Sequence, residues 1–200
     1  GVEFRDVVRR RRMVRRFDRR PVPRETVDRI VDVGRRAPSA GFAQGVEFLV
    51  LDEAATIAKF WDITRDPEHG WDAEVVANGP TVLVIPLPDP GRYLARYSEP
   101  DKVAFGMDRE EGWPVRYWEV DAAMAAMSML LAAVDEGLGA WFFGITRGEG
   151  DLLERFGVPA GLRPIGILGL GYRASDERPG GSGASRPRRA LSDQLHRNGW

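Results

Sequence analysis

The spacing of apolar and polar positions along the chain predicts helices and strands in turn. Apolar residues three or four positions apart predict helices over residues 3–12, 24–37, 53–63 and 149–157. Short runs that are apolar at nearly every position predict four strands, over residues 46–51, 80–88, 140–145 and 163–173. These elements follow one another without an internal repeat or an obvious linker. We therefore expect an α/β or α+β fold in a single domain spanning residues 1–200.

The most apolar segment, residues 122–134, lies inside a long predicted helix over residues 118–136. It is apolar on all sides, which leaves no face for water and predicts a central position. It is too short to span a bilayer and is flanked by Asp121 and Asp135, so we expect no membrane partner and a cytoplasmic location. The charged and aromatic stretch over residues 93–118 is the least regular part of the chain.

The composition excludes several classes of catalytic site. The 200 residues include no cysteine and only two histidines, His69 and His196, so disulfides, thiol nucleophiles and HExxH zinc sites are excluded. We expect no bound metal. The segment around Ser192 and His196 lacks the GxSxG turn of a serine hydrolase, and no complete GxGxxG dinucleotide motif occurs. None of these side-chain motifs accounts for the chemistry of the protein.

Arginine is concentrated near both ends of the chain. Six arginines fall within residues 9–17, although the formal net charge is −1, and three more follow within residues 186–189. The near-neutral charge and the lack of a second regular basic face argue against a nucleic-acid partner. Each cluster by itself is typical of a solvated surface. A small phosphate is the alternative, because guanidinium groups and accessible backbone N–H groups, as in the small-residue loop over residues 37–45, both bind phosphate oxygens.

Four segments, taken in order, resemble the nitroreductase family of flavoproteins over essentially the whole chain. The first is similar to an Arg-x-Ser-x-Arg/Lys-x-Phe motif, and the second to Ala-Pro-Ser-x-x-Asn-x-Gln-Pro-Trp-x-Phe. The third is an alanine-rich helix leading to Gly-Leu-Gly and a strand of small and aromatic residues. The fourth is a Gly-Tyr and Arg-x-x-Leu ending. The matching positions are Arg11, Met13, Arg15 and Phe17; Ala37, Pro38, Ser39, Gln44 and Phe48; residues 121–139 and 140–145; and Gly171, Tyr172, Arg188 and Leu191.

The resemblance implies an α+β nitroreductase-like fold, with a central mixed β-sheet flanked by helices. It also implies an intertwined homodimer with FMN bound at the dimer interface. Carried over residue by residue, the family's cofactor-binding positions fall at Arg11, Arg12, Met13 (by its backbone), Arg15, Pro38, Ser39, Ala40, Gly41, Gln44, Phe143, Gly144, Ile145, Arg186, Arg188 and Arg189. In the family, residues 38–41 would come from the other subunit and pack on the flavin ring. The backbone of residues 143–145 would lie near flavin N5 and O4.

The resemblance further implies chemistry carried by the flavin, with NAD(P)H as electron donor and no catalytic side chain. A hydride would pass through flavin N5 to a nitroaromatic, a quinone or a similar small electrophilic acceptor, with ping-pong kinetics. Arg15 would stabilise the negative charge of the reduced flavin, and Phe42 would form a wall of the pocket. The expected partners are a second copy of the chain and the small-molecule acceptor.

Three departures from the family pattern bear on the substrate. Met13 replaces a serine, Phe42 replaces an asparagine, and Gly45–Val46 replaces Pro-Trp. These changes keep open a specialised enzyme of the same fold, such as an ene or azo reductase, a dehalogenase, or a flavin-fragmenting or deazaflavin-using enzyme. A non-catalytic flavin-binding protein is a further alternative.

Overall fold

The computed structural model describes residues 3–69 and 73–200. Its helices in this part of the chain are α1 Phe4–Arg10, α2 Arg24–Arg35, α3 Ala54–Thr64, α4 Ala73–Ala77, α5 Pro90–Tyr97, α6 Tyr117–Asp135, α7 Glu149–Arg155 and α8 Ser182–Ser185. Its strands are β1 Val46–Leu51, β2 Val82–Pro88, β3 Gly139–Phe143 and β4 Ile167–Gly171.

The four strands form one sheet in the order β1-β2-β4-β3, and every neighbouring pair is antiparallel. One parallel contact is added to this sheet by an isolated bridge between Met13, which lies outside the named strands, and Ala140 of β3. Helices cover the sheet, so the expected α+β fold is confirmed.

The hydrophobic core lies on both faces of this sheet. On one face, Leu83 and Ile85 of β2 pack into a cluster that includes Phe60 of α3. On the other face, Val82 and Val84 pack into a cluster that includes Met129 of α6. Successive residues of a strand point to opposite faces, so β2 is buried on both, as its unbroken apolar run predicts.

Helix α6 packs across the second face and lies close to α2. A Cβ added at Gly34 of α2 would be 2.6 Å from Cγ of Met129, so a glycine is needed for this approach. By length and composition alone α6 could cross a membrane, and half of its most apolar window is buried in the fold. The expectation that α6 leaves no face to water is wrong for the single protomer, because Val120 and Met127 are exposed.

Several elements differ from the sequence-based expectation, and three of the differences bear on the site. Helix α1 ends at Arg10, because residues 11–17 run extended and bridge to Ala140 and Arg173. Helix α5 lies within the stretch expected to be irregular, and its first turn is capped by the Asp89 side chain, which accepts a hydrogen bond from the Gly91 N–H. Strand β4 begins only at residue 167, after a glycine with φ of 148° that no ordinary strand residue adopts.

Acidification is expected to destabilise the fold through three carboxylates. Hydrogen bonds from arginine lower the pKa of Asp32, Asp101 and Glu136. A lowered folded pKa means that the stabilisation is present above the unfolded pKa, at about 4, and is lost as the pH falls through the folded value. We expect the melting temperature to fall between pH 5 and pH 3, and the fall to be smaller in Glu136→Gln. An equal fall in the variant would contradict this.

Candidate functional site

The extended segment over residues 11–17 places its arginines on two sides of the chain. Neighbouring residues of an extended chain point in opposite directions, so Arg11 and Arg15 lie on one side and Arg12 and Arg16 on the other. Val14, in the middle of this segment, is buried in the hydrophobic core and holds the segment against it. Local sequence alone does not distinguish the two sets, whereas the extended backbone does.

One set of arginines is neutralised by carboxylates. Arg12 forms a two-pronged pair with Glu177, whose side chain is 3% exposed, and its Nη1 lies 2.7 Å from Oε1. This pair raises the pKa of the Arg12 guanidinium. Arg16 pairs at 3.0 Å with both Glu74 and Asp176. The cofactor contact expected of Arg12 stays a prediction, but its charge is already balanced inside the protein.

The other set keeps its charge unbalanced. Within residues 3–69 and 73–200, neither Arg11 nor Arg15 lies within 4.0 Å of a carboxylate oxygen. Arg15 donates from Nη1 to the Gly180 carbonyl at 3.2 Å, and its Cζ lies 5.8 Å from the Trp141 ring centroid. Met13, between them, accepts a weak hydrogen bond at Sδ from the Phe142 N–H. Arg11 and Arg15 therefore each carry a positive charge that no carboxylate of the described chain balances.

The segment that leaves β3 offers backbone donors. Phe143 is buried and stacks on Trp61, with ring centroids 5.8 Å apart and planes 12° apart. Gly144 is exposed, and a Cβ placed there would meet no atom within 4 Å. In the part of the chain that the structure describes, the N–H groups of Gly144 and Ile145 donate no hydrogen bond. A flat ligand can therefore approach this backbone and use both donors.

The loop after α2 is a second candidate surface. The Ser39 hydroxyl accepts a hydrogen bond from the Gln44 N–H at 3.0 Å, which closes the loop on itself. The Ala40 N–H donates to buried Asp121 of α6 at 2.9 Å. Phe42 carries the largest side chain of the loop and is 74% exposed. Pro38 and Ser39 line a cavity of about 420 Å³ beside the loop.

The C-terminal arginines make no hydrogen bond or ion pair with these two surfaces within the described residues. Arg186, Arg188 and Arg189 are exposed, and Arg189 donates to the Asp193 carbonyl at 2.5 Å. In the described residues no hydrogen bond joins them to the segment over 11–17. Their part in a phosphate site stays a prediction.

Sequence reasoning missed three residues that organise the site. Glu177 and Asp121 are buried carboxylates, and Arg96 of α5 donates to the loop carbonyl of Gly41 at 2.9 Å. The Asp89-Pro90 pair that begins α5 is a helix-start signal and could have revealed the helix that carries Arg96. No local signal reveals the partners of Glu177 or Asp121.

Comparison with known proteins relates nearly the whole chain to NAD(P)H-dependent oxidoreductases. A protein of Methanothermobacter thermautotrophicus named as an NADH dehydrogenase/NAD(P)H nitroreductase is 25% identical, and the match covers 98% of this chain and 86% of the relative. An NADPH-dependent oxidoreductase of Staphylococcus aureus is 26% identical, with 96% and 72% covered.

Solved structures share the fold. A protein of Exiguobacterium sibiricum described as a nitroreductase in complex with FMN superposes with a TM-score of 0.74 at 18% identity, covering 99% of this chain and 98% of that one. A protein of Desulfovibrio desulfuricans described in the same way gives 0.70 at 22% identity, covering 100% and 99%. The sequence profile of the Nitroreductase family matches residues 8–172, which is most of the chain. This chain therefore belongs to the nitroreductase family.

Proposed function

We propose that this protein is an FMN-dependent NAD(P)H oxidoreductase that reduces nitroaromatic, quinone or similar small electrophilic acceptors. Membership of the nitroreductase family makes it an oxidoreductase that uses FMN and NAD(P)H. The observation that carries the proposal is that Arg11 and Arg15 have no carboxylate partner in the described chain, while the N–H groups of Gly144 and Ile145 donate no hydrogen bond there. Unbalanced positive charge and available backbone donors are features that suit an anionic, flat cofactor.

The residues present fit FMN. Arg11 would bind its phosphate and Arg15 would stabilise the negative charge of its reduced state, because neither guanidinium is balanced by a carboxylate in the described chain. The N–H groups of Gly144 and Ile145 would orient the ring, and the missing side chain at Gly144 lets a ring approach closely. When bound, FMN supplies hydride transfer between NAD(P)H and the acceptor. No acid–base side chain is assigned a catalytic role.

We further propose that residues 1–200 act as one domain and assemble as a cytoplasmic homodimer. The support is the exposed apolar side of α6, with Val120 and Met127, which a second copy would cover. The loop of one protomer, with Pro38, Ser39, Ala40, Gly41 and Gln44, would then complete the partner's cofactor site. Light scattering of the FMN-bound protein should give twice the chain mass of 22.3 kDa.

The proposed function is tested first by the cofactor. Purified protein should be yellow, and the flavin released by heat should co-migrate with FMN in chromatography. NADPH or NADH should bleach the flavin absorbance under anaerobic conditions, and a quinone or a nitroaromatic should restore it. A colourless protein that fails to bind added FMN would overturn the proposal. Flavin that binds and is not reduced by either nucleotide would favour a non-catalytic flavin-binding protein, and release of a deazaflavin would favour a specialised relative.

A further inference from the structure

The loop that carries Phe42 is held in a conformation that its side chains disfavour. Gly41, Phe42 and Gln44 have φ of 60°, 57° and 51°, all in the left-handed region. A bulky residue such as phenylalanine rarely adopts this conformation. The Phe42 ring gains little from burial, since 74% of the residue is exposed. Strain of this kind persists only where the surroundings impose it, and it points to a functional role for the strained residue.

Helix α5 imposes the conformation through Arg96. Its Nε donates to the Gly41 carbonyl at 2.9 Å, while its two terminal nitrogens each lie 2.7 Å from a carboxylate oxygen of Asp101. Glu99 accepts a further hydrogen bond from Arg96 at 2.8 Å, and the Arg96 side chain is 22% exposed. The carboxylates fix the guanidinium plane, so its remaining edge holds the loop in one place.

Two further contacts, made by Tyr97 and Asp121, hold the loop at Gly41 and Ala40. The ring of Tyr97 packs so closely on Gly41 that an added Cβ would lie 2.7 Å from its Cε2. Asp121 accepts hydrogen bonds from both the Ala40 N–H and the Tyr93 hydroxyl, at 2.9 and 2.8 Å. Burial and the bond to Asp121 raise the pKa of Tyr93, which keeps its hydroxyl protonated as a donor. The backbone on the N-terminal side of Phe42 is thus fixed at two consecutive residues.

We propose that Arg96 is a positioning residue that, through the Gly41 carbonyl, holds Phe42 outward as a stacking surface that selects planar aromatic acceptors over acceptors without a ring. The inference rests on the proposed function for its substrate, and it adds a determinant of selectivity that acts on the loop from α5. An exposed ring on a fixed backbone can stack on a planar ligand without first being ordered. A mobile loop would lose that advantage, whereas Arg11, Arg15 and the backbone after β3 do not contact Arg96 and would keep their places.

The first experiment compares a naphthoquinone with ferricyanide, which has no ring, as acceptors for the FMN-bound protein. We expect Phe42→Ala and Arg96→Gln each to lower the ratio of kcat/KM for the quinone to that for ferricyanide about three- to tenfold. Arg96→Lys should recover part of the ratio. In a Phe42→Ala background, Arg96→Gln should change the ratio no further, because it acts through Phe42.

Arg92→Gln is the matched control. Arg92 also lies on α5 and pairs with Glu47 at 3.3 Å, but it does not bond the loop. It should leave the ratio unchanged. If Arg96→Gln lowers both acceptors equally, or lowers the ratio further in the Phe42→Ala background, the positioning role is overturned.

A second measurement is independent of FMN and of turnover. Chymotrypsin cleaves after an aromatic residue that can become extended, so the clamped loop should resist cleavage after Phe42 despite its exposure. We expect Arg96→Gln to be cleaved after Phe42 at least fivefold faster than the parent, relative to cleavage after exposed Phe4 within the same sample. Equal rates would overturn the clamp. If the parent reduces neither acceptor, the proposed function fails, and this measurement still decides whether Arg96 holds the loop.

Discussion

Replacing Arg11 or Arg15 by alanine is expected to weaken FMN binding by roughly 10- to 150-fold. This range corresponds to the loss of one charge-assisted hydrogen bond of about 1.5–3 kcal/mol. Neither guanidinium pairs with a carboxylate in the described chain, so each can bind an anionic ligand without breaking an ion pair. Fluorescence of free FMN, titrated with apoprotein at two salt concentrations, measures the affinity.

The sharpest control for this prediction is Arg16→Ala. Arg16 lies in the same extended segment but points the other way, toward Glu74 and Asp176. It should change FMN affinity less than about threefold, which is ~0.6 kcal/mol. Arg188→Ala tests whether the tail joins the phosphate site, and a loss like that of Arg11→Ala is expected. If Arg11→Ala and Arg16→Ala bind FMN alike, the two-sided arrangement of the arginines has no role in binding.

Replacing Arg12 by alanine is expected to destabilise the fold by about 2–4 kcal/mol, because it leaves the carboxylate of Glu177 buried and unpaired. The expected loss of stability is smaller than for a fully buried ion pair, since the Arg12 side chain is 30% exposed. For a chain of this length the melting temperature should fall by roughly 5–15 °C. Chemical unfolding monitored by circular dichroism gives the free energy directly.

A second substitution separates the charge from the packing. Glu177→Gln removes the buried charge, so in the Arg12→Ala background it should restore part of the lost stability rather than add to the loss. Arg16→Ala breaks only exposed pairs and should leave the free energy of unfolding little changed. Additive losses in the double variant would show that Glu177 does not depend on Arg12.

The regular part of the fold could be predicted because its signals are local. Strand β1 has the bounds expected from the sequence, and the buried run of β2 and the apolar helix α6 lie within two residues of expectation. Helix α5 was missed because Tyr93, Leu94 and Tyr97 stand among charged residues that hide the apolar spacing. Packing of those rings against Trp113 and Trp118 makes the helix, and that contact is not local.

In the candidate site, too, the residues in local motifs could be predicted from the sequence, and the contacts between distant residues could not. The arginines, the small-residue loop and the glycine after β3 could be found from motifs. The pairing of Arg12 with Glu177 could not, since 165 positions separate them and many carboxylates are equally plausible partners. The apolar spacing predicts a helix that continues to residue 12. The backbone over residues 11–17 is extended instead, because β-bridges to Ala140 and Arg173 override the local preference.

The left-handed backbone of the loop also predicts which residues different kinds of selection would favour at position 42. Phe42 and Gln44 stand where glycine or asparagine fits the backbone better, so substitutions to those residues should be among the stabilising changes available to the chain. A random library at position 42 sorted only for heat resistance should therefore converge on Gly or Asn. The same library sorted for growth that depends on reducing an aromatic toxin should return Phe, Tyr or Trp. Phe42 would then mark a position where natural selection has kept performance at the expense of durability.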